Sequence, residues 1–130
     1  MYYVKEQTEE ICKAAVKQES YSLCFVKEQT PEICLIAIEQ DPFALIHVKE
    51  QTDELCREAL KRNGLMLKHV KYQTLELCMT AVMQDPYALQ YVENKTLDIC
   101  LQAVKQDPQV INYIRNKEMF DKVRFLCKVN

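Results

Sequence analysis

The sequence predicts an all-α protein: an α-solenoid of about five tandem 22-residue helix-turn-helix repeats with a C-terminal capping helix. Three observations predict it. VKEQTEEIC at 4–12 returns as VKEQTPEIC at 26–34 and as VKEQTDELC at 48–56. Ladders of like residues keep the same step, among them Thr8, Thr30, Thr52, Thr74, Thr96 and Cys12, Cys34, Cys56, Cys78, Cys100. A fixed period of about 20–50 residues marks stacked-repeat proteins. Third, each period carries two helix-start signals around apolar stripes too short to be stable alone in water. Such minihelices persist only by burying each other's stripes in a row.

The elements follow in order. Residues 1–7 align with the tail of a second helix, Tyr3-Val4 matching Tyr91-Val92, so the array opens on a half repeat. That open half repeat offers a surface for self-association, and would also suit a piece of a longer array. Full repeats start near 8, 30, 52, 74 and 96. In the unit from Thr30, the threonine is an N-cap, Pro31 occupies the first helical position, and Glu32 complements the positive helix end. Ile33, Cys34, Ala37 and Ile38 form one apolar stripe. Asp41-Pro42 starts the second helix, as do Asp85-Pro86 and Asp107-Pro108, with Asn63-Gly64 in the third unit. The expected helices are about 9 and 8 residues long, the second with Ala44, Leu45 and Val48 inward and Lys49 near its C-terminal end. A last helix, about 117–128, starts at Asn116 and caps the array with Met119, Phe120, Val123, Leu126 and Cys127 inward.

Composition narrows the function. The 130 residues are 48% hydrophobic and 28% charged with a net charge of −2, ordinary for a soluble domain and without a global pull toward nucleic acid. No run approaches the roughly 18 apolar residues of a membrane span. Tyr2-Tyr3 is followed by Lys5 and Glu6, which does not read as a signal peptide, so no membrane role and a cytoplasmic setting are expected. Seven cysteines cannot all pair within one chain, no CxxC occurs, and only His47 and His69 supply imidazoles. No metal site, catalytic residue or cofactor is therefore expected. Gly64 is the single glycine, so no glycine-rich phosphate loop exists.

The ladders read first as scaffold. The five cysteines sit inside the apolar stripes, where free cysteine acts as a small hydrophobe. Packed helices lie about 8–10 Å apart, too far for adjacent ladder cysteines to bridge. Glu10, Glu32, Glu54, Glu76 and Asp98 each serve a helix N-terminus. Lys5, Lys27, Lys49 and Lys71 continue as Glu93 and Arg115; a nucleic-acid track along these cations is the alternative function. Glu93 interrupts that row, and Glu6, Glu28 and Glu50 lie beside it.

Partner-binding candidates come from two groups. On an α-helical wheel Tyr21/Phe25, Phe43/His47, Leu65/His69, Tyr87/Tyr91 and Gln109/Tyr113 are i,i+4 pairs pointing nearly opposite the Leu45–Val48 face. Phe25, His47, His69, Tyr91 and Tyr113 are the candidates in this column. The residues after each cysteine differ between units, and there Leu35, Ile36, Met79 and Leu101 form scattered apolar spots. A regular core beside a drifting surface points to a non-catalytic scaffold with an unidentified protein partner.

The phrases VKEQTPEICLIAIEQDPFAL and YVENKTLDICLQAVKQDP, with the run V-K-x-Q-T-x-E-[IL]-C-x-x-A-[VIL], resemble a short helical repeat of uncharacterised function abundant in giant, mimivirus-like DNA viruses. The resemblance spans about Val4 to Arg115. It implies a viral or virus-associated protein, acting in host cytoplasm, whose repeats mediate interactions; it carries over no catalytic residue. Glu93, Lys95 and the irregular C-terminal end depart from the pattern.

Overall fold

The computed structural model describes residues 6–129. Six α-helices and five 3-10 helices occur among these residues, in strict alternation. The α-helices are α1 Glu9–Gln18, α2 Pro31–Gln40, α3 Asp53–Arg62, α4 Leu75–Gln84, α5 Leu97–Gln106 and α6 Lys117–Cys127. The 3-10 helices are η1 Ser20–Phe25, η2 Pro42–His47, η3 Gly64–His69, η4 Pro86–Tyr91 and η5 Pro108–Tyr113. The Val4 half-repeat match and Lys5 lie outside the described residues. The chain forms two compact units, Met1–Arg62 and Asn63–Asn130. In the first, α1, α2 and α3 pack in a row, η1 lies beside η2, and each 3-10 helix packs on two α-helices. In the second, α4, α5 and α6 form the row, with η3, η4 and η5 alongside. Each unit thus stacks as an α-solenoid.

The caps act as the sequence predicts. The hydroxyl of Thr8, Thr30, Thr52, Thr74 and Thr96 each accepts the N–H three residues on, at 3.1–3.3 Å. Asp41, Asn63, Asp85 and Asp107 accept the N–H two residues on, at 2.9–3.0 Å, and so start the 3-10 helices. Glu19 stands in that place before η1, and its side chain makes no cap bond. The stripes close the interior: Ile33, Ala37, Ile38, Leu45, Ala59, Leu60 and Leu67 are at most 1% exposed.

The second helix of each repeat differs from expectation. It is not an eight-residue α-helix but a six-residue 3-10 helix, ended by bonds such as Val48 N–H to Leu45 O at 3.1 Å. The reason lies in the spacing of its buried residues. Leu23/Val26, Leu45/Val48, Leu67/Val70, Leu89/Val92 and Ile111/Ile114 are i,i+3 pairs, all buried. At 3.0 residues per turn such pairs eclipse, whereas on an α-helix they diverge by about 60°. Lys49 consequently lies beyond the helix rather than in its last turn.

The last helix is also corrected in part. Val123 is fully buried, and Met119, Phe120 and Cys127 are half-buried. Leu126, expected inward, is 50% exposed, and Phe125 is 80% exposed. Leu126 lies about 60° from Val123 on the helix, on the side away from Phe120. Lys128 ends α6 in the left-handed region (φ 55, ψ 46), and the Val129 N–H returns to Arg124 O at 3.0 Å. These bonds satisfy last-turn carbonyls.

Candidate functional site

The glutamines before the capping threonines Thr8, Thr30 and Thr74 prove to join one repeat to the next. Gln29 Nε2 donates to His47 O at 2.8 Å, while its Oε1 accepts the Lys49 N–H at 2.9 Å. Gln7 does the same with Phe25 O (2.8 Å) and Lys27 N–H (2.7 Å). Gln73 does so with Tyr91 O (2.8 Å) and Glu93 N–H (3.0 Å). One primary amide both donates and accepts, so it holds the chain where it leaves the 3-10 helix. Lys95, at the fifth position, instead donates Nζ to Val92 O at 2.8 Å, within its own repeat.

The thiols lie behind these amides. Cys12, Cys34, Cys56, Cys78 and Cys100 are buried and free. Cys34, Cys56 and Cys78 each direct Sγ to the Oε1 of the glutamine five residues earlier, at 3.3–3.6 Å. Burial pushes all five thiols up from their ordinary value. Cys56 rises to about 11, with the Asp53 charge adding to burial. Nucleophilic thiolates require the opposite shift. Cys24 is exposed and Cys127 half-buried.

Shallow grooves open beside the glutamine rungs. One of about 390 Å³ is lined by Lys27, Gln29, Thr30, Cys34, Lys49 and Glu50, among others. Its neighbour of about 340 Å³ has Gln7, Cys12, Lys27, Glu28 and Thr30 in its walls. Lysine and glutamate share each wall, and Lys49 Nζ is itself bonded to Lys27 O at 3.1 Å. Among the described residues no group of three or more His, Cys, Asp or Glu could hold a metal ion.

The candidate binding residues take up two settings. Phe25, His47, His69, Tyr91 and Tyr113 are all half-buried at the ends of the 3-10 helices. The glutamines hold the backbone carbonyls of Phe25, His47 and Tyr91. Tyr113 meets Tyr87 edge-on, with ring centres 6.1 Å apart at 77°. Leu35, Ile36, Met79 and Leu101 are half-buried on the α-helices.

Among the more exposed apolar residues Tyr21 and Phe43 belong to the expected outward column, though not to its chosen candidates, and Ile46 was missed. Because a 3-10 helix eclipses i and i+3, the outward column in the first unit is Tyr21/Cys24 and Phe43/Ile46 rather than any i,i+4 pair. Phe43 is 52% and Ile46 51% exposed. In the second unit the same column reads Leu65/Lys68, Tyr87/Gln90 and Gln109/Asn112, which is more polar. The α-helices reverse the contrast. In the first unit Lys13 Nζ meets Glu32 at 3.0 Å and Glu9 at 3.5 Å, and Arg62 binds Glu58 at 2.9 Å. In the second, Leu75 (59% exposed), Met79 and Met83 (54%) stand on α4. The signal available was the i+3 spacing of the buried ladder, which fixes by difference what faces out.

Buried rungs repeating every 22 residues, beneath a surface that changes from repeat to repeat, define a stacked helical-repeat protein. The chain belongs to the family described as a domain of unknown function, DUF4116, which matches residues 52–95 and again residues 74–119. The two matches start one repeat apart, at the capping residues Thr52 and Thr74. No curated protein and no solved structure matches the chain.

Proposed function

We propose that this protein is a non-catalytic helical-repeat scaffold that binds another protein. One observation carries the reading: the outward position that is Ile46 (51% exposed) in one repeat is Lys68, Gln90 and Asn112 in the repeats after it, and Phe43, three residues before Ile46, is 52% exposed beside it. Stacking does not require apolar side chains at outward positions, and exposed apolar clusters mark interaction sites. The raised thiols support a non-catalytic role, since thiol chemistry was the only enzymatic candidate. We assign a viral origin and action in host cytoplasm on the likeness of the VKEQT phrases to repeats of giant DNA viruses. A nucleic-acid track would use Lys27, Lys49 and Lys71. Glu28 and Glu50 stand in the same grooves and oppose it.

The test uses immobilised wild type and a Phe43→Glu/Ile46→Glu variant. A protein retained by the first and lost from the second supports the scaffold reading. Retention of labelled single- or double-stranded nucleic acid with a steep loss in salt, and of no protein, overturns it.

A further inference from the structure

On α5 a first-turn acid and a last-turn base complement the helix ends and, among the described residues, carry no ion pair besides. On α5, Asp98, Leu101 and Lys105 stand at i, i+3 and i+7, one face of a helix. On α4, Leu75, Met79 and Met83 stand at i, i+4 and i+8. Asp98 and Lys105 are exposed and have no ion-pair partner among the described residues. One repeat of the first unit makes the corresponding contact, while the next has Leu35 and Glu54 at the same two positions. In the former, Lys13 reaches the next helix and binds Glu32 at 3.0 Å. Lys13 and Glu32 correspond by repeat to Met79 and Asp98, each 66 residues on. The cation has been replaced by methionine, and the acid kept.

We propose that a second copy of this chain supplies the cation, in a dimer with α4 laid antiparallel on α4 and α5 on α5. The register follows from symmetry. Asp98 and Lys105 lie on either side of Leu101, and Leu75 and Met83 on either side of Met79. Met79 and Leu101 are one repeat apart, so one two-fold axis across both helices centres each on its own mate. Each Asp98 then faces a Lys105 of the other copy, twice over, around an apolar centre of Met79 and Leu101. A parallel arrangement would set acid on acid and base on base. The helices are about 15 Å long, so the face falls below the roughly 800 Å² per partner of a tight complex. A weak dimer is therefore expected. This association goes beyond the scaffold reading and does not depend on it, since Phe43 and Ile46 lie on other elements.

Sedimentation of the full chain from about 1 μM to 1 mM tests the proposal, with dimer expected in the upper range. Asp98→Lys or Lys105→Glu alone should raise the dissociation constant about tenfold, as two symmetric pairs become like-charge contacts. The double variant should return it to near the wild-type value, because the pairs are rebuilt with signs reversed. Met79→Lys should leave only monomer. Thermal melts separate lost association from lost folding. Monomer at every wild-type concentration overturns the proposal. So does a dimer indifferent to the single reversals, or a double variant that fails to recover. None of these results bears on binding through Phe43 and Ile46.

Discussion

Gln73 and Lys95 occupy the same position in consecutive repeats and do different work. Gln73 joins two segments: its amide donates to Tyr91 O at 2.8 Å and accepts the Glu93 N–H at 3.0 Å, with Cys78 Sγ at 3.3 Å behind it. Lys95 turns back onto Val92 O at 2.8 Å. An ammonium can only donate, so it cannot replace an amide that also accepts. The chain after the two 3-10 helices differs accordingly. From Val92 to the cap at Thr96 is four steps, and from Ile114 to the cap at Asn116 is two. Loop length and amide change together. In these two repeats the four-step loop goes with the amide and the two-step loop with its absence.

Breaking the Gln73 rung should have the largest effect. Gln73→Leu leaves Tyr91 O and the Glu93 N–H without the amide in a part-buried place, and should cost about 3 kcal/mol in denaturant unfolding. Gln73→Lys, which copies position 95, should cost about 2 kcal/mol, because the acceptor is lost and a donor kept. A harmless Gln73→Lys would sink the comparison, since the amide would then not be what holds the loop.

Alkaline titration compares the thiols behind the rungs. Burial raises all five ladder thiols in the folded protein, so they bind protons that the unfolded chain has released. The associated stability is fully present below the unfolded value near 9.0 and is lost as pH rises through the folded values, about 11 for Cys56. For Cys56 the loss is of the order of 2 kcal/mol. Nearby charges then act on two of the rungs: Lys95 pulls both Cys78 and Cys100 down, and at Cys78 Glu93 pushes the other way. Unfolding measured between pH 8 and about 11.5 should show the decline, and Cys56→Ala should flatten it. A stability that stays level across this window would contradict the burial of the thiols.

These rungs also show where sequence reading stops. The Thr and Asp caps were legible because a cap bonds a neighbour two or three residues away, so cap and helix start appear together. The cysteine ladder was legible as burial because it shares the stripe of Ile33, Ala37 and Ile38. The glutamine was not, because its partners lie 18 and 20 residues on and are backbone groups, which leave no mark on residue type. The 3-10 helices were legible in the Leu45–Val48 spacing, but an α-helical period laid over six residues paired Phe43 with His47. The true period pairs Phe43 with Ile46, and Ile46 was missed for that reason.

Serine substitution gives a smaller contrast. Cys78→Ser keeps a donor facing Gln73 Oε1, whereas a hydroxyl at 100 has no such amide oxygen to donate to, because Lys95 stands in the glutamine's place and turns Nζ to Val92 O. Cys100→Ser should therefore be the more destabilising of the two by about 1 kcal/mol, read from paired denaturation curves. Equal costs would mean that the thiol–amide contact contributes nothing beyond burial.

The smallest effect should come from restoring the missing amide. Lys95→Gln places a donor within reach of the Tyr113 end of η5 and an acceptor before Cys100. It also removes the cation that pulls the Cys100 thiol down. The loop beyond Ile114 is two residues shorter than its counterpart after Val92, so the accepting half of the rung should not be rebuilt at Arg115. The gain should be about 0.5–1 kcal/mol, well short of what Gln73→Leu loses. Amide hydrogen exchange separates the two halves, with Arg115 exchanging as in wild type while Glu93 stays protected by Gln73. Protection of Arg115 equal to that of Glu93 would show that the short loop accepts the full rung, and that side-chain chemistry alone sets positions 73 and 95 apart.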